Sequence, residues 1–124
     1  MILVDTSVWV DHLRRGDAQL VTLLEANAVV MHPFVVGEIA CSSLMDRAMT
    51  LGLLQHLPSA VVAEADEILG YIESKKLYEI GIGYVDVHLL ASVALAGIKL
   101  WTRDKWLREV AQDLGYAWME GREH

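Results

Sequence analysis

Residues 2–7 read ILVDTS, a short aliphatic run that ends in an acid and two hydroxyl residues. An apolar run without polar alternation is typical of a strand buried in a parallel sheet. The Asp, Thr and Ser of this stretch favour helix N-caps, and Val8 and Leu13 then begin the apolar face of a predicted helix. The stretch therefore predicts a buried strand that passes directly into a helix.

The same alternation of strand and helix continues along the chain. Further strands are predicted at 28–31, 99–102 and 116–119. Further helices are predicted at 18–26, 33–44, 46–55, about 61–75, 85–96 and 106–114. Strands that alternate with helices imply a parallel sheet covered by helices on both sides. We expect an α/β fold of three layers with a central parallel sheet of about four strands, and a charged tail after it.

Composition and charge narrow the class of protein. The 124 residues are 54% hydrophobic and 22% charged, which is typical of one well-packed domain, expected to span residues 1–124. There are 17 acidic and 10 basic side chains, giving a net charge of −7. An acidic chain is unlike a nonspecific nucleic-acid coat, unless its negative charge is concentrated where cations bind.

The sequence also indicates where the protein works. Cys41 is the single cysteine, so an intramolecular disulfide cannot form. The longest apolar stretches, such as 89–98, are far shorter than a membrane span. Residues 1–4 lack a basic leader and are followed by Asp5 and Asp11, so we do not expect them to form a signal peptide. We expect a cytoplasmic protein that does not bind membranes.

Four acids fall at equivalent places in the predicted fold. Asp5 follows the first strand and Asp104 follows the third, and parallel strands place both at the same edge of the sheet. Asp86 lies in the first turn of a helix, and Glu38 lies in the second turn of the helix that leaves the second strand. The sequence therefore predicts that four carboxylates converge on one rim.

Each acid also has a purely structural interpretation. Asp5 and Asp104 can cap helices, Asp86 is an ordinary first-turn acid, and Glu38 can face solvent. Carboxylates gathered at one rim repel each other unless a cation offsets their charge. Mg²⁺ is held by a few carboxylates together with water and phosphate oxygens, and such a site can act on a phosphodiester.

The chain resembles the PIN-domain nucleases and, within them, the VapC-like toxin ribonucleases of toxin–antitoxin pairs. The resemblance spans nearly the whole chain and is carried by residues 2–7, Glu38, Asp86 with Leu89 and Ala91 behind it, and residues 100–104 with Trp106. It implies a PIN-like fold, metal-dependent endoribonuclease activity, an antitoxin partner and a homodimer. Structured RNA such as tRNA or rRNA is the expected target.

The resemblance also implies roles for individual residues. Asp5, Glu38, Asp86 and Asp104 are expected to be catalytic and to hold Mg²⁺ or Mn²⁺. Ser7, or less favourably Thr6, offers a hydroxyl to metal-bound water or to a phosphate oxygen. Some relatives carry a further acid where Lys105 stands in this chain, so we expect one ion and treat a second as doubtful.

Basic residues near the predicted rim suggest a substrate contact. Arg103 and Lys105 flank Asp104 and are expected to bind RNA phosphates. The apolar helices at 61–72 and 89–93 carry more hydrophobic surface than a thin sheet covers, which agrees with an isologous homodimer.

Three other functions fit parts of the pattern. A phosphoacceptor receiver domain has an acidic pair after its first strand, whereas Asp5 is followed by Thr6 and Ser7. An aspartyl-phosphate phosphatase needs a second aspartate at the position that Ser7 occupies. A PIN-like domain retained for RNA binding or as a scaffold stays open, because intact acids do not by themselves require catalysis.

Overall fold

Three short parallel strands lie at the centre of the computed structural model, which describes residues 1–121. They are β1 (Ile2–Val4), β2 (Val29–Val30) and β3 (Lys99–Trp101), in the order β2-β1-β3. Residues 122–124, the end of the predicted charged tail, lie outside the described residues. The central strand β1 is aliphatic throughout and buried, as expected for a strand covered on both faces.

Helices connect the strands and cover the sheet. Within residues 1–121 they are α1 (Thr6–Arg15), α2 (Ala18–Glu25), α3 (Pro33–Ala40), α4 (Arg47–Gln55), α5 (Ala65–Lys75), α6 (Tyr84–Ala96) and α7 (Lys105–Asp113), with a 3₁₀ turn at Leu77–Glu79. Pro33 occupies the first turn of α3, where its missing N–H leaves no hydrogen bond unmade. The predicted alternation of strands and helices is confirmed.

The helix α6 lies in the core. Its 13 residues include a continuous buried run from Val87 to Val93, so it packs on all sides instead of presenting one apolar stripe. In the part of the chain that the structure describes, neither α6 nor any other helix combines the length and hydrophobicity needed to span a bilayer. Because α6 is fixed by the core, its first turn, which carries Asp86, is held in place.

Three elements differ from the sequence prediction. The helix predicted at 33–44 ends at Ala40, with Cys41 as its C-cap, so Leu44 lies outside it. The predicted fourth strand at 116–119 is wrong: only one parallel bridge forms, between Leu100 and Ala117. The segment leaves the sheet after this bridge, and Glu120 then binds side chains instead of continuing the ladder. The helix predicted from Val61 starts at Ala65, because a capping box between Glu64 and the third residue of the helix begins it there.

Candidate active site

Asp5 lies where β1 passes into α1 and is only 6% exposed. It is the N-cap of α1. Its Oδ2 accepts hydrogen bonds from Ser7 Oγ at 2.7 Å and from Thr102 Oγ1 at 2.8 Å. The carboxylate is therefore oriented from two separate elements, the first turn of α1 and the loop after β3.

Asp104 lies at the same edge of the sheet, because β1 and β3 are parallel and pair Val4 with Trp101. It caps α7, with Oδ1 accepting from the Leu107 amide at 2.9 Å. Its own amide donates to Thr102 Oγ1 at 3.1 Å. The Thr102 hydroxyl thus links the two acids, since it accepts from Asp104 and donates to the Asp5 carboxylate.

Glu38 reaches the site from α3 and is exposed. Its Oε1 accepts a hydrogen bond from Thr6 Oγ1 at 2.6 Å. Because Thr6 is the first residue of α1, this bond ties α3 to the start of α1 and fixes where the Glu38 carboxylate lies.

Asp86 is half-buried in the first turn of α6. Burial raises the pKa of this carboxyl to about 6, and the negative charges of Asp5, Asp104 and Glu38 act in the same direction. Asp86 therefore shares one electrostatic environment with the other three acids. The structure brings these four side chains from four separate segments to one rim; their catalytic and metal-binding roles stay predictions.

The donor set suits a hard divalent cation. Hydrogen bonds within the described residues use Oδ2 of Asp5, Oε1 of Glu38 and Oδ1 of Asp104, which leaves the second oxygen of each for a ligand. A cation would also relieve the charge that disfavours ionised Asp86. Among residues 1–121, no group of three or more acidic, histidine or cysteine side chains already has the arrangement of a formed metal site.

The predicted substrate residues have different surroundings. Ser7 Oγ donates to Asp5 and accepts from the Arg103 amide at 2.9 Å, so in this structure its hydroxyl serves the acid. The Arg103 guanidinium binds three carboxylates, those of Asp11, Asp17 and Glu120. Its predicted contact with RNA phosphates stays untested, and these contacts favour the different role argued below.

Lys105 and two of the three nearby aromatic residues are accessible to solvent. Lys105 is exposed at the start of α7, next to Asp104, which leaves its charge available to a phosphate. Trp101 in β3 is fully buried. Trp106 and Tyr84 are instead 50% and 54% exposed, and each lies two residues from one of the acids.

Sequence reasoning assigned no role to several residues that organise this rim. Thr102 was recognised only as part of a motif, although a hydroxyl residue at a strand end, two positions before an acid, was a usable signal. Asp11, Asp17 and Glu120 carry no comparable signal, because isolated acids on helices and loops are usually solvated.

Comparisons with known proteins show the family of the chain. The PIN domain family model matches residues 2–113. Ribonuclease VapC32 from two strains of Mycobacterium tuberculosis is 46% identical over 121 residues, which cover 97% of this chain and 98% of the relative.

Solved structures share the fold at low sequence identity. FitAcB from Neisseria gonorrhoeae superposes with a TM-score of 0.62 at 18% identity, covering 90% of this chain and 94% of that chain. FitAB bound to the IR36 DNA fragment gives a TM-score of 0.61 at 18% identity, covering 100% of both chains. The predicted PIN-like fold is confirmed, with three strands instead of about four. The chain belongs to the PIN domain family, and within it is a relative of ribonuclease VapC32.

Proposed function

We propose that this protein is an endoribonuclease that depends on Mg²⁺ or Mn²⁺ and acts as the toxin of a toxin–antitoxin pair. The observation that carries the proposal is the convergence of Asp5, Glu38, Asp86 and Asp104 at the carboxyl edge of the sheet. The identity of 46% to a protein named ribonuclease VapC32 supports the same activity.

The four acids are proposed to be both the metal ligands and the catalytic residues. A bound divalent ion supplies Lewis acidity at a phosphoryl oxygen and lowers the pKa of a water molecule. The chain's own contribution is to orient the ligands: Thr102 and Ser7 hold Asp5, and Thr6 holds Glu38. This preorganisation reduces the cost of assembling the site when substrate arrives.

Lys105 is proposed to bind RNA and to limit the site to one ion. Its side chain is exposed beside Asp104, where it can meet a phosphate of the substrate. The same position offers no carboxylate for a second ion, so the proposal contains a single Mg²⁺ or Mn²⁺. Ser7 is proposed to contact the substrate through a water molecule that donates to its hydroxyl, because its proton goes to Asp5 and one lone pair accepts from the Arg103 amide.

The proposed partners are structured RNA such as tRNA or rRNA, a cognate antitoxin and a second copy of the chain. The surplus apolar surface expected at 89–93 is wrong, because this run is buried in the core. Other exposed apolar side chains on two adjacent helices support the homodimer: Leu69 on α5 is 60% exposed and Leu95 on α6 is 54% exposed. Burial of such residues between subunits is a common source of dimer stability. Action in the cytoplasm follows from the proposed RNA substrate.

The test is cleavage of structured RNA by purified protein. We expect cutting with Mn²⁺ or Mg²⁺, no cutting in excess chelator, and loss of at least about a hundredfold in rate for Asp86→Asn. Asp66→Asn is the matched control, because Asp66 is a first-turn acid of α5 with no part in the rim. Cleavage that persists in chelator contradicts the metal mechanism, and a wild type without nuclease activity favours the scaffold alternative.

A further inference from the structure

The Arg103 side chain lies at the centre of an ion-pair network. Nη1 donates to Asp11 Oδ2 at 2.8 Å, Nε donates to Glu120 Oε1 at 2.5 Å, and Nη2 donates to Asp17 Oδ2. The guanidinium carbon also lies 5.4 Å from the centre of the Trp101 ring. Through one side chain the network joins α1, the start of α2 and the segment after α7. We call the cluster formed by Arg103, Asp11, Asp17 and Glu120 the Arg103 clamp.

Two of the three acids are themselves fixed by further hydrogen bonds. Asp17 caps α2, with Oδ1 accepting from the Leu20 amide at 3.0 Å. Glu120 Oε1 accepts a second hydrogen bond from Trp101 Nε1 at 2.9 Å. Only 25% of the Arg103 side chain and 15% of the Asp17 side chain are exposed, so this network is screened less than a surface ion pair.

The backbone at Arg103 belongs to the acidic rim. Its amide donates to Ser7 Oγ at 2.9 Å, and Ser7 Oγ donates to Asp5. The residues on either side are Thr102, which donates to Asp5, and Asp104, which is one of the four acids. Any movement of this loop therefore changes the donors that orient Asp5 and the position of Asp104.

We propose that Arg103 is a positioning residue, and that the Arg103 clamp holds the loop at 102–104 so that Asp104 and the donors to Asp5 keep their places at the rim where the metal is proposed to bind. This inference rests on the proposed function and adds to it a role for Glu120, a residue in the segment after α7. Arginine suits the role because its planar group donates to several carboxylates at once, whereas lysine presents a single point charge.

Charge argues against the alternative that Arg103 binds RNA directly. One guanidinium is surrounded by three carboxylates, so the local charge stays negative and repels a phosphate. An RNA contact would also require Arg103 to exchange at least one of these partners. The three carboxylates therefore disfavour a contact between Arg103 and a phosphate, and they stabilise the position of the loop at 102–104.

Glu120→Gln separates the two roles, because it loosens the clamp and also frees Arg103 from one negative charge. The positioning role predicts, in metal-free protein, at least about tenfold faster hydrogen exchange of the Arg103 and Asp104 amides. It also predicts about tenfold weaker Mn²⁺ binding by calorimetry and a lower kcat for RNA cleavage, with KM unchanged. Arg103→Lys should give the same pattern with a larger effect.

Arg15→Lys is the matched control, since Arg15 also contacts Asp11 but is 74% exposed and lies outside the clamp. It should leave amide exchange, Mn²⁺ affinity and kcat unchanged. The proposal is overturned if Glu120→Gln leaves exchange and Mn²⁺ affinity at the wild-type values and lowers KM, which is the pattern of a freed phosphate contact. A wild type that neither binds Mn²⁺ nor cuts RNA contradicts the proposed function, while amide exchange still decides whether the clamp holds the loop. If Arg103→Lys fails to fold, Glu120→Gln still tests the proposal, because the Glu120 side chain is more exposed than that of Arg103.

Discussion

Thr6 Oγ1 donates a hydrogen bond of 2.6 Å to Glu38 Oε1, across 32 residues of sequence. The Thr6 hydroxyl therefore orients an acid of the rim, a role that the sequence analysis did not give it. It also links the helix that leaves β1 to the helix that leaves β2.

Thr6→Val tests this link, because it removes the hydroxyl and keeps the branched shape. We expect kcat for RNA cleavage to fall by about tenfold to a hundredfold, as when a partner of a metal ligand is removed. The free energy of unfolding should change by less than about 1 kcal/mol, since the bond is accessible to water. Thr6→Ser keeps the hydroxyl and should keep most of the activity; equal loss in both variants would show that the hydroxyl is not what matters.

Asp86 should make metal-free stability depend on pH. Its folded pKa of about 6 lies above the unfolded value of about 3.9. The folded state therefore binds the extra proton, and its stability falls as pH rises from about 4 to about 6 and then levels off. Asp86→Asn lacks this dependence and should be more stable than wild type above pH 6, by about 1 kcal/mol after allowance for partial solvent exposure.

Urea unfolding in chelator at several pH values measures the free energy of unfolding of both proteins. The contributions of the other titrating groups largely cancel in the difference between them, because both proteins contain those groups. A difference that does not vary with pH would mean that the folded protein does not raise the pKa of Asp86.

His32 should resist protonation. It is fully buried, its Nδ1 accepts from the Phe34 amide at the start of α3, and Nε2 has no hydrogen-bond partner within the described residues. Burial lowers the pKa of His32 to about 4, and the neighbouring His88 acts in the same direction. The neutral folded form then loses stability as pH falls from about 6.5 to about 4. A histidine ring NMR titration should show His32 neutral at pH 5; a midpoint near 6.5 would contradict this burial.

Trp106 is expected to contact RNA bases. Its side chain is 50% exposed at the start of α7, two residues after Asp104. Stacking of a base on an aromatic ring is worth about 1–3 kcal/mol, so Trp106→Ala should raise KM by about fivefold or more. The exposed Leu53 on α4 provides a control variant, Leu53→Ala, that should leave KM unchanged. An unaltered KM in Trp106→Ala would exclude this residue from the substrate site.

The edge of the sheet at which the acids gather could be predicted from the sequence for a physical reason. Short aliphatic runs specify buried parallel strands, and strand direction then fixes which residues share an edge. Asp5 and Asp104 follow directly from this rule. Glu38 and Asp86 needed only the additional knowledge of which helix turn each occupies.

The Arg103 clamp could not be predicted in this way. Its three acids lie 92, 86 and 17 residues from Arg103, and pairing between distant charges has no sequence period. The predicted fourth strand failed for a related reason: strand propensity at 116–119 is local, whereas a ladder depends on the partner edge. In the segment 116–119, the edge strand β3 forms one bridge, between Leu100 and Ala117.

The most direct test of the four-acid site is thermal melting of wild type, Asp5→Asn and Asp86→Asn with and without Mn²⁺. An ion that binds only the folded protein raises Tm with its concentration. We predict this rise for wild type and its loss in both variants. In chelator, both variants should melt at or above the wild-type Tm, because each substitution removes a repelling charge. Asparagine can still cap a helix, so the capping role of Asp5 is kept. If both variants melt well below metal-free wild type and Mn²⁺ shifts no Tm, the acids are structural and the metal site does not exist.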